Sequence, residues 1–288
     1  LMMLALSHDV LDLPEGHQIA QWEPLLAVYL PPEAEQVVGI APRAAPVVRF
    51  HAEEAQKEGI FLRLLGALAI RLHTKKFVHL HKALERKFTD IDLIGYSKQA
   101  KKLDGLFTKL GYKARPTSIA LYVANRRIYL KPEADLKVDV FLDKLEFCHT
   151  IDLRGRLELD FPTITPSDLL LEKMQIVQIT EKDLKDTMVL LREHGIDEKD
   201  NDVINAKYIA KLLSNDWGFY YTVTTNLKKT KELLGLFGAL TDEDRDIISK
   251  RIDKLLDYIE KEPKSLKWKI RAKVGTKKKW YREVETIK

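Results

Sequence analysis

The sequence predicts a mixed α/β (α+β) fold: a small mixed sheet with flanking helices, followed by an all-helical C-terminal domain. Two observations carry this. Up to Leu159, short apolar runs of strand length alternate with amphipathic stretches. From Thr165 onward, apolar residues recur only at helical spacing. A third observation places function in the first part. Thr89-Asp90-Ile91-Asp92-Leu93 and Lys137-Val138-Asp139-Val140-Phe141 both set aspartates between apolar residues, with strand periodicity. The expected organisation is an arm of uncertain status (1–50), a core (51–164), a helical domain (165–262) and a basic tail (263–288).

The elements follow in order. Prolines 14, 24, 31, 32, 42 and 46 interrupt the apolar stretches of residues 1–50, which read poorly as a folded unit. Glu53 to Glu58 reads as the end of a helix, stopped at Gly59. Ile60–Leu65 reads as a strand, and Gly66–His73 as a helix that opens on glycine. Residues 74–87 form a basic connection. Within it, His79 and His81 are read as solvated rather than metal-binding. Thr89–Gly95 is a strand, Lys98–Leu110 an amphipathic helix capped by Gly111, and Ser118–Val123 with Arg127–Lys131 a hairpin. Lys137–Leu142 is the second aspartate strand, and Leu153–Leu159 alternates as an edge strand does. Thr165-Pro166 starts a helix, with residues 168–178 and 181–193 helical. Residues 203–261 contain three further helices, with Asp216-Trp217-Gly218 at a junction.

Composition bounds the function. Of 288 residues 45% are hydrophobic, ordinary for a globular protein. The single cysteine, Cys148, excludes an internal disulfide and a cysteine-based structural zinc site, and fits a reducing cytoplasm. No apolar run approaches membrane-spanning length, and the opening Leu-Met-Met-Leu-Ala-Leu is too short for a signal peptide. A cytoplasmic protein with no membrane association is therefore expected. The net charge of +5 is uneven: residues 261–288 carry eleven Lys or Arg against three Glu. Such a tail is either a polyanion contact or a solvated, partly disordered end. No Walker loop, zinc-protease helix motif or Rossmann glycine set is present.

In a strand, residues i and i+2 share a face, so Asp90 and Asp92 project together while Ile91, Leu93, Val138 and Val140 face a core. Neighbouring ionised carboxylates repel, and a third on an adjacent strand points to a divalent cation. Oxygen-rich sites suit Mg2+ or Mn2+. Against this stands the plain alternative that charged residues alternate on the solvent face of many strands.

The order of motifs resembles the nucleotidyltransferase superfamily, specifically the AbiEii-type toxins of type IV toxin–antitoxin systems. Leu65-Gly66-Ala67 leads to Asp90-Ile91-Asp92, then to Lys137-Val138-Asp139. Asp168 to Val177 follows with Lys173, then Lys182 to Leu190 with Asp183 and Asp186. The resemblance spans residues 60–194. It implies transfer of a nucleotidyl group from an NTP to an acceptor hydroxyl, with RNA or tRNA as an acceptor and an antitoxin as a protein partner. It also implies that Asp90, Asp92 and Asp139 hold the metal. Gly66, Ala67 and Lys137 would bind the nucleotide, and Lys173 would offset the charge of the leaving pyrophosphate. Asp186 is read as helix packing rather than as the group that orients Lys173. Ala67 stands where the family often has Ser, which keeps the backbone N–H and loses the hydroxyl. The stretch from Gly66 to Asp90 is also longer than usual. A second reading is thus a catalytically weakened module that binds nucleic acid through its basic tail, and a third is transfer to a small molecule.

Overall fold

The computed structural model describes residues 41–88, 90–116, 125–132 and 136–284. Its central element is a five-stranded mixed sheet. In chain order the strands are β1 (Leu62–Leu65), β2 (Ile91–Gly95), β3 (Lys113–Ala114), β4 (Arg126–Lys131) and β5 (Leu136–Leu142). Their order in space is β1-β2-β5-β4-β3. Only β2 and β5 run parallel; the other pairs are antiparallel. Leu64 donates to the Pro162 carbonyl and accepts from Ile164, so the segment before the helical part covers the β1 edge.

One face of this sheet is apolar for a reason visible in the strands. Ile91, Leu93, Val138 and Val140 are buried as the alternation requires. They pack with α1 (Ala41–Lys57) and α4 (Ala100–Lys109), which contributes Leu103, Leu106 and Phe107. Phe107 stacks on Tyr129 with centroids 4.0 Å apart, and the Tyr129 hydroxyl donates to Asp104 at 2.6 Å. Two short helices, α2 (Gly66–His73) and α3 (Val78–Ala83), follow β1.

Beyond β5 come a small hairpin, β6 (Lys144–Glu146) with β7 (Thr150–Asp152), and then the helices α5 (Pro166–Met174) and α6 (Glu181–Glu193). A two-residue parallel pair, β8 (Ile196–Asp197) and β9 (Ile204–Asn205), leads to α7 (Ala206–Leu213), α8 (Trp217–Leu233), α9 (Asp242–Lys261) and α10 (Leu266–Val274). Each start is written in the sequence. Thr165, Asn205, Asp216 and Ser265 accept from the third backbone N–H of their helices, and Thr180-Asp183 and Thr241-Asp244 form capping boxes. The buried apolar side chains form one continuous cluster from Ala52 to Ile259. No helix among the described residues is long and apolar enough to cross a membrane.

Four sequence expectations need correction. The arm boundary at residue 50 falls inside α1, which continues through Pro42 and Pro46. The second half of α1 buries His51, Ala52 and Ala55, and that packing outweighs the backbone bond lost at Pro46. The connection 74–87 contains α3, and His81 on it is fully buried, paired with Thr74 Oγ1 at 2.8 Å, while His79 is exposed. Residues 153–159 are turns, not an edge strand. Arg156 N–H bonds the Leu153 carbonyl, Gly155 takes φ +74°, and the apolar side chains that suggested alternation (Leu153 and Leu157) are buried by those turns. The expected first strand of the hairpin, Ser118–Val123, lies outside the described residues.

The fourth correction concerns the basic tail. Residues 266–277 are helical, and the following segment docks back on the body. Trp280 donates through Nε1 to Thr222 Oγ1 at 3.0 Å, and Arg282 N–H bonds the Cys148 carbonyl. Gly218 makes this possible: a Cβ there would stand 2.5 Å from the Trp280 carbonyl oxygen. Gly218→Ala is therefore expected to cost about 1–3 kcal/mol through overpacking. Limited proteolysis of that variant should release the segment after α10 sooner than in the parent chain, with the rest of the fold intact.

Candidate active site

The register of the sheet builds the site. Asp92 on β2 lies directly opposite Asp139 on the parallel strand β5, and Leu65 on β1 lies opposite Asp92. The chain leaves β1 at Leu65 and turns at once into α2 through Gly66 at φ +74°. The turn brings the Gly66 backbone so close that a Cβ would stand 3.0 Å from Asp92 Oδ2. Ala67, half-buried, is the next residue of α2. Asp92, Asp139 and the Gly66 turn thus share one end of the sheet, on the face opposite Ile91, Leu93, Val138 and Val140.

Asp139 is 5% exposed. Its Oδ2 accepts from Arg126 Nη2 and lies 3.2 Å from Lys137 Nζ. Its Oδ1 is buried and has no hydrogen-bond partner. A buried carboxylate oxygen without a donor is costly, and a cation is one way to satisfy it. Lys137 projects from β5 on the same face with its side chain 48% exposed. Asp90 precedes β2, exposed, and its charge still reaches Asp92.

Asp92 is pushed up to about 7, by burial first and then by the charges of Glu172, Asp139 and Asp90, with Lys173 opposing. This is the electrostatic signature of carboxylates that lack a full set of cations. The fit to a hard divalent ion therefore rests on two observations: the raised Asp92 and the unpartnered Asp139 oxygen. Asp90, Asp92 and Asp139 do not, however, each bring an oxygen within 4.8 Å of the others. Asp90 stands ahead of the strand, and Arg126 with Lys137 holds one oxygen of Asp139.

Helix α5 packs against the site, and its side chains contact groups that the sequence reading assigned to the nucleotide. The Gly66 N–H, expected to be open to phosphate, donates to Glu172 Oε2 at 2.9 Å. Glu172 is buried, and burial raises its pKa. Lys173, expected to face pyrophosphate, is buried among carboxylates. Its Nζ lies 3.2 Å from Asp186, 3.6 Å from Asp183 and 3.8 Å from Glu172. Burial works against its charge, but the three carboxylates outweigh it and hold the ammonium protonated far above neutral pH. Asp186 is not mere helix packing, nor is it on a solvated face. It is fully buried and grips Arg86 through both oxygens at 2.7 and 2.8 Å while orienting Lys173.

Glu172, Arg126 and Arg86 were not singled out from sequence. Glu172 carried a signal, since its neighbour Lys173 was in a motif. Arg126 carried one only through register: it sits two residues from Ile128, which pairs with Asp139. Arg86 carried none, because its partner is 100 residues away. The aromatic run at 217–221 behaves as core: Phe219 stacks on His149 and Trp217 on Tyr221. No protein-family model matches the chain, and no curated protein sequence matches it.

Two outcomes follow. Asp92 binds its proton more tightly folded than unfolded, so in metal-free protein its contribution is neutral below about pH 4. It destabilises progressively as pH rises toward about 7. Asp92→Asn should match the parent at pH 4 and exceed its stability by about 2–4 kcal/mol at pH 8, by urea denaturation. Asp186→Ala leaves Arg86 and Lys173 buried without their shared partner and should cost about 3–5 kcal/mol in the same measurement.

Proposed function

We propose that the β2/β5 end of the sheet is the active face of a metal-dependent nucleotidyltransferase. The pairing of Asp92 with Asp139 across the two parallel strands, beside a glycine turn that brings backbone against the carboxylates, carries the reading. Asp92 and Asp139 would hold Mg2+ or Mn2+, with Asp90 and Glu172 adding negative charge around them. When bound, such an ion neutralises triphosphate oxygens and polarises the phosphoryl centre.

The chain's own groups supply the rest. The acceptor hydroxyl attacks the α-phosphorus of the NTP, the bond to the β-phosphate oxygen breaks, and pyrophosphate leaves with the electron pair. Asp139 accepts the hydroxyl proton. Lys137, 48% exposed beside Asp139, would meet phosphate charge. Lys173 holds the carboxylate cluster together rather than contacting the triphosphate. Gly66 leaves room for close approach, and Glu172 must yield the Gly66 N–H if that group is to bind phosphate.

RNA is the acceptor class favoured by the C-terminal segment. Helix α10 has the sequence Leu-Lys-Trp-Lys-Ile-Arg-Ala-Lys-Val, with no acidic residue, and Lys267, Lys269 and Lys273 are exposed. Such a helix supports phosphate-backbone contact. The toxin-like role, and with it an antitoxin partner, belongs to this proposal. The second reading, an RNA-binding module without turnover, draws on the same helix and on the occupied Gly66 N–H.

Incubation with each labelled NTP, Mg2+ and total cellular RNA tests the proposal. Label should enter RNA in the parent chain and fall by about 100-fold or more in Asp92→Asn and Asp139→Asn. Absence of label under all four NTPs, with retained RNA binding that weakens steeply with salt, would favour the binding module.

A further inference from the structure

A second cluster lies away from the carboxylates, where α2 ends against the end of α6. His73 is the last residue of α2, His194 caps α6, and Asp202 lies in the loop between β8 and β9. One ligand atom from each falls within 4.8 Å of the others. The imidazoles meet edge-on with centroids 5.3 Å apart.

The neighbours of each ring nitrogen bear on which atoms can ligate. His73 Nε2 lies 2.6 Å from Thr163 Oγ1 and 3.2 Å from the Ile164 carbonyl, with Asp160 Oδ2 at 3.5 Å. The carbonyl and the Asp160 carboxylate are acceptors that suit a hydrogen on Nε2, the tautomer that leaves Nδ1 able to ligate a metal. His73 Nδ1 faces Asp202 Oδ1 at 3.6 Å. His194 Nδ1 lies 2.7 Å from the Asp202 carbonyl, so it is the N–H there. His194 Nε2 is left bare, buried and without a partner on a side chain only 2% exposed. Burial lowers the pKa of both rings and keeps them neutral, the form that ligates metal. Metal-binding histidines characteristically donate their other ring N–H to a carbonyl or carboxylate, and both do so here.

Asp202 Oδ1 thus lies 3.6 Å from the Nδ1 of each ring, and the buried His194 Nε2 has no partner. We propose that His73, His194 and Asp202 bind a divalent transition ion of the Zn2+ type that clasps the end of α2 to the end of α6. The donor set selects the ion: imidazole nitrogen suits Zn2+ and its neighbours and not Mg2+. Asp160 Oδ2 lies on the other side of the His73 ring, 3.5 Å from Nε2. Because α2 begins at Gly66, the clasp ties the helix that starts at the carboxylate face to the helical part of the fold. The site is independent of nucleotidyl transfer.

The test uses the full chain, stripped with a chelator and titrated with Zn2+ in the presence of excess Mg2+, with bound metal read by calorimetry and elemental analysis. One zinc per chain is expected, and Mg2+ should not displace it. His194→Gln and Asp202→Asn should each weaken binding by about tenfold or more, while Asp92→Asn leaves it unchanged. Asp202 is 80% exposed, so its variant should melt like the parent without zinc, which separates lost ligation from misfolding. No zinc binding by the parent, binding indifferent to Asp202→Asn, or binding abolished by Asp92→Asn would overturn the proposal.

Discussion

The structure depends on how it compensates buried carboxylates. Buried Asp139, Glu172 and Asp186 and half-buried Asp92 are gathered where the sheet meets α5 and α6, and each ionised pair raises the cost of the next. Arg86 and Lys173 answer Asp186, Arg126 and Lys137 answer Asp139, and the Gly66 N–H answers Glu172. Asp92 is the group left over, and its raised affinity for a proton follows. A buried ion network of this kind is weak evidence for stability in itself. It concentrates carboxylates at one end of a sheet, the feature on which the proposed cation-dependent chemistry rests.

The same network couples the layers. Arg86 lies just after α3 and Asp186 in the middle of α6, so their bidentate pair joins the start of β2 to the helical part. A second buried pair does similar work at the other end of α5. Arg156, from the turns after β7, bonds both oxygens of Asp168 at 2.8 Å, and Tyr208 on α7 donates to Asp168 at 3.1 Å. Helix α5 is therefore held at its start by Asp168 and near its end by Lys173, with Glu172 between them facing Gly66. Movement of α5 would alter the Gly66 N–H and the field at Asp92 together.

Much of the fold was legible because its signals are local. The helix Gly66–His73 and the three helices within residues 203–261 follow from apolar spacing and from caps such as Asp216 and Thr241, which act within a few residues. The strands around Asp92 and Asp139 follow from alternation. The misreadings have a common physical cause. Leu153–Leu159 has strand periodicity, but Gly155 and the Arg156–Asp168 pair turn it, and that partner is outside any local window. His81 reads as a loop residue until Thr74 and Phe88 enclose it. The tail reads as solvated because its anchors, Thr222 and Cys148, are distant in sequence.

The sequence by itself determined that a small mixed sheet carries aspartates on one face and is followed by helices. It did so because side-chain alternation and capping depend on near neighbours alone. Only the tertiary structure decided which charges meet. Register set Asp92 against Asp139, α5 turned Lys173 away from solvent toward Asp186, and Glu172 took the Gly66 N–H. Those choices depend on desolvation and on partners up to 100 residues apart. Neither is encoded in the spacing of residues along the chain.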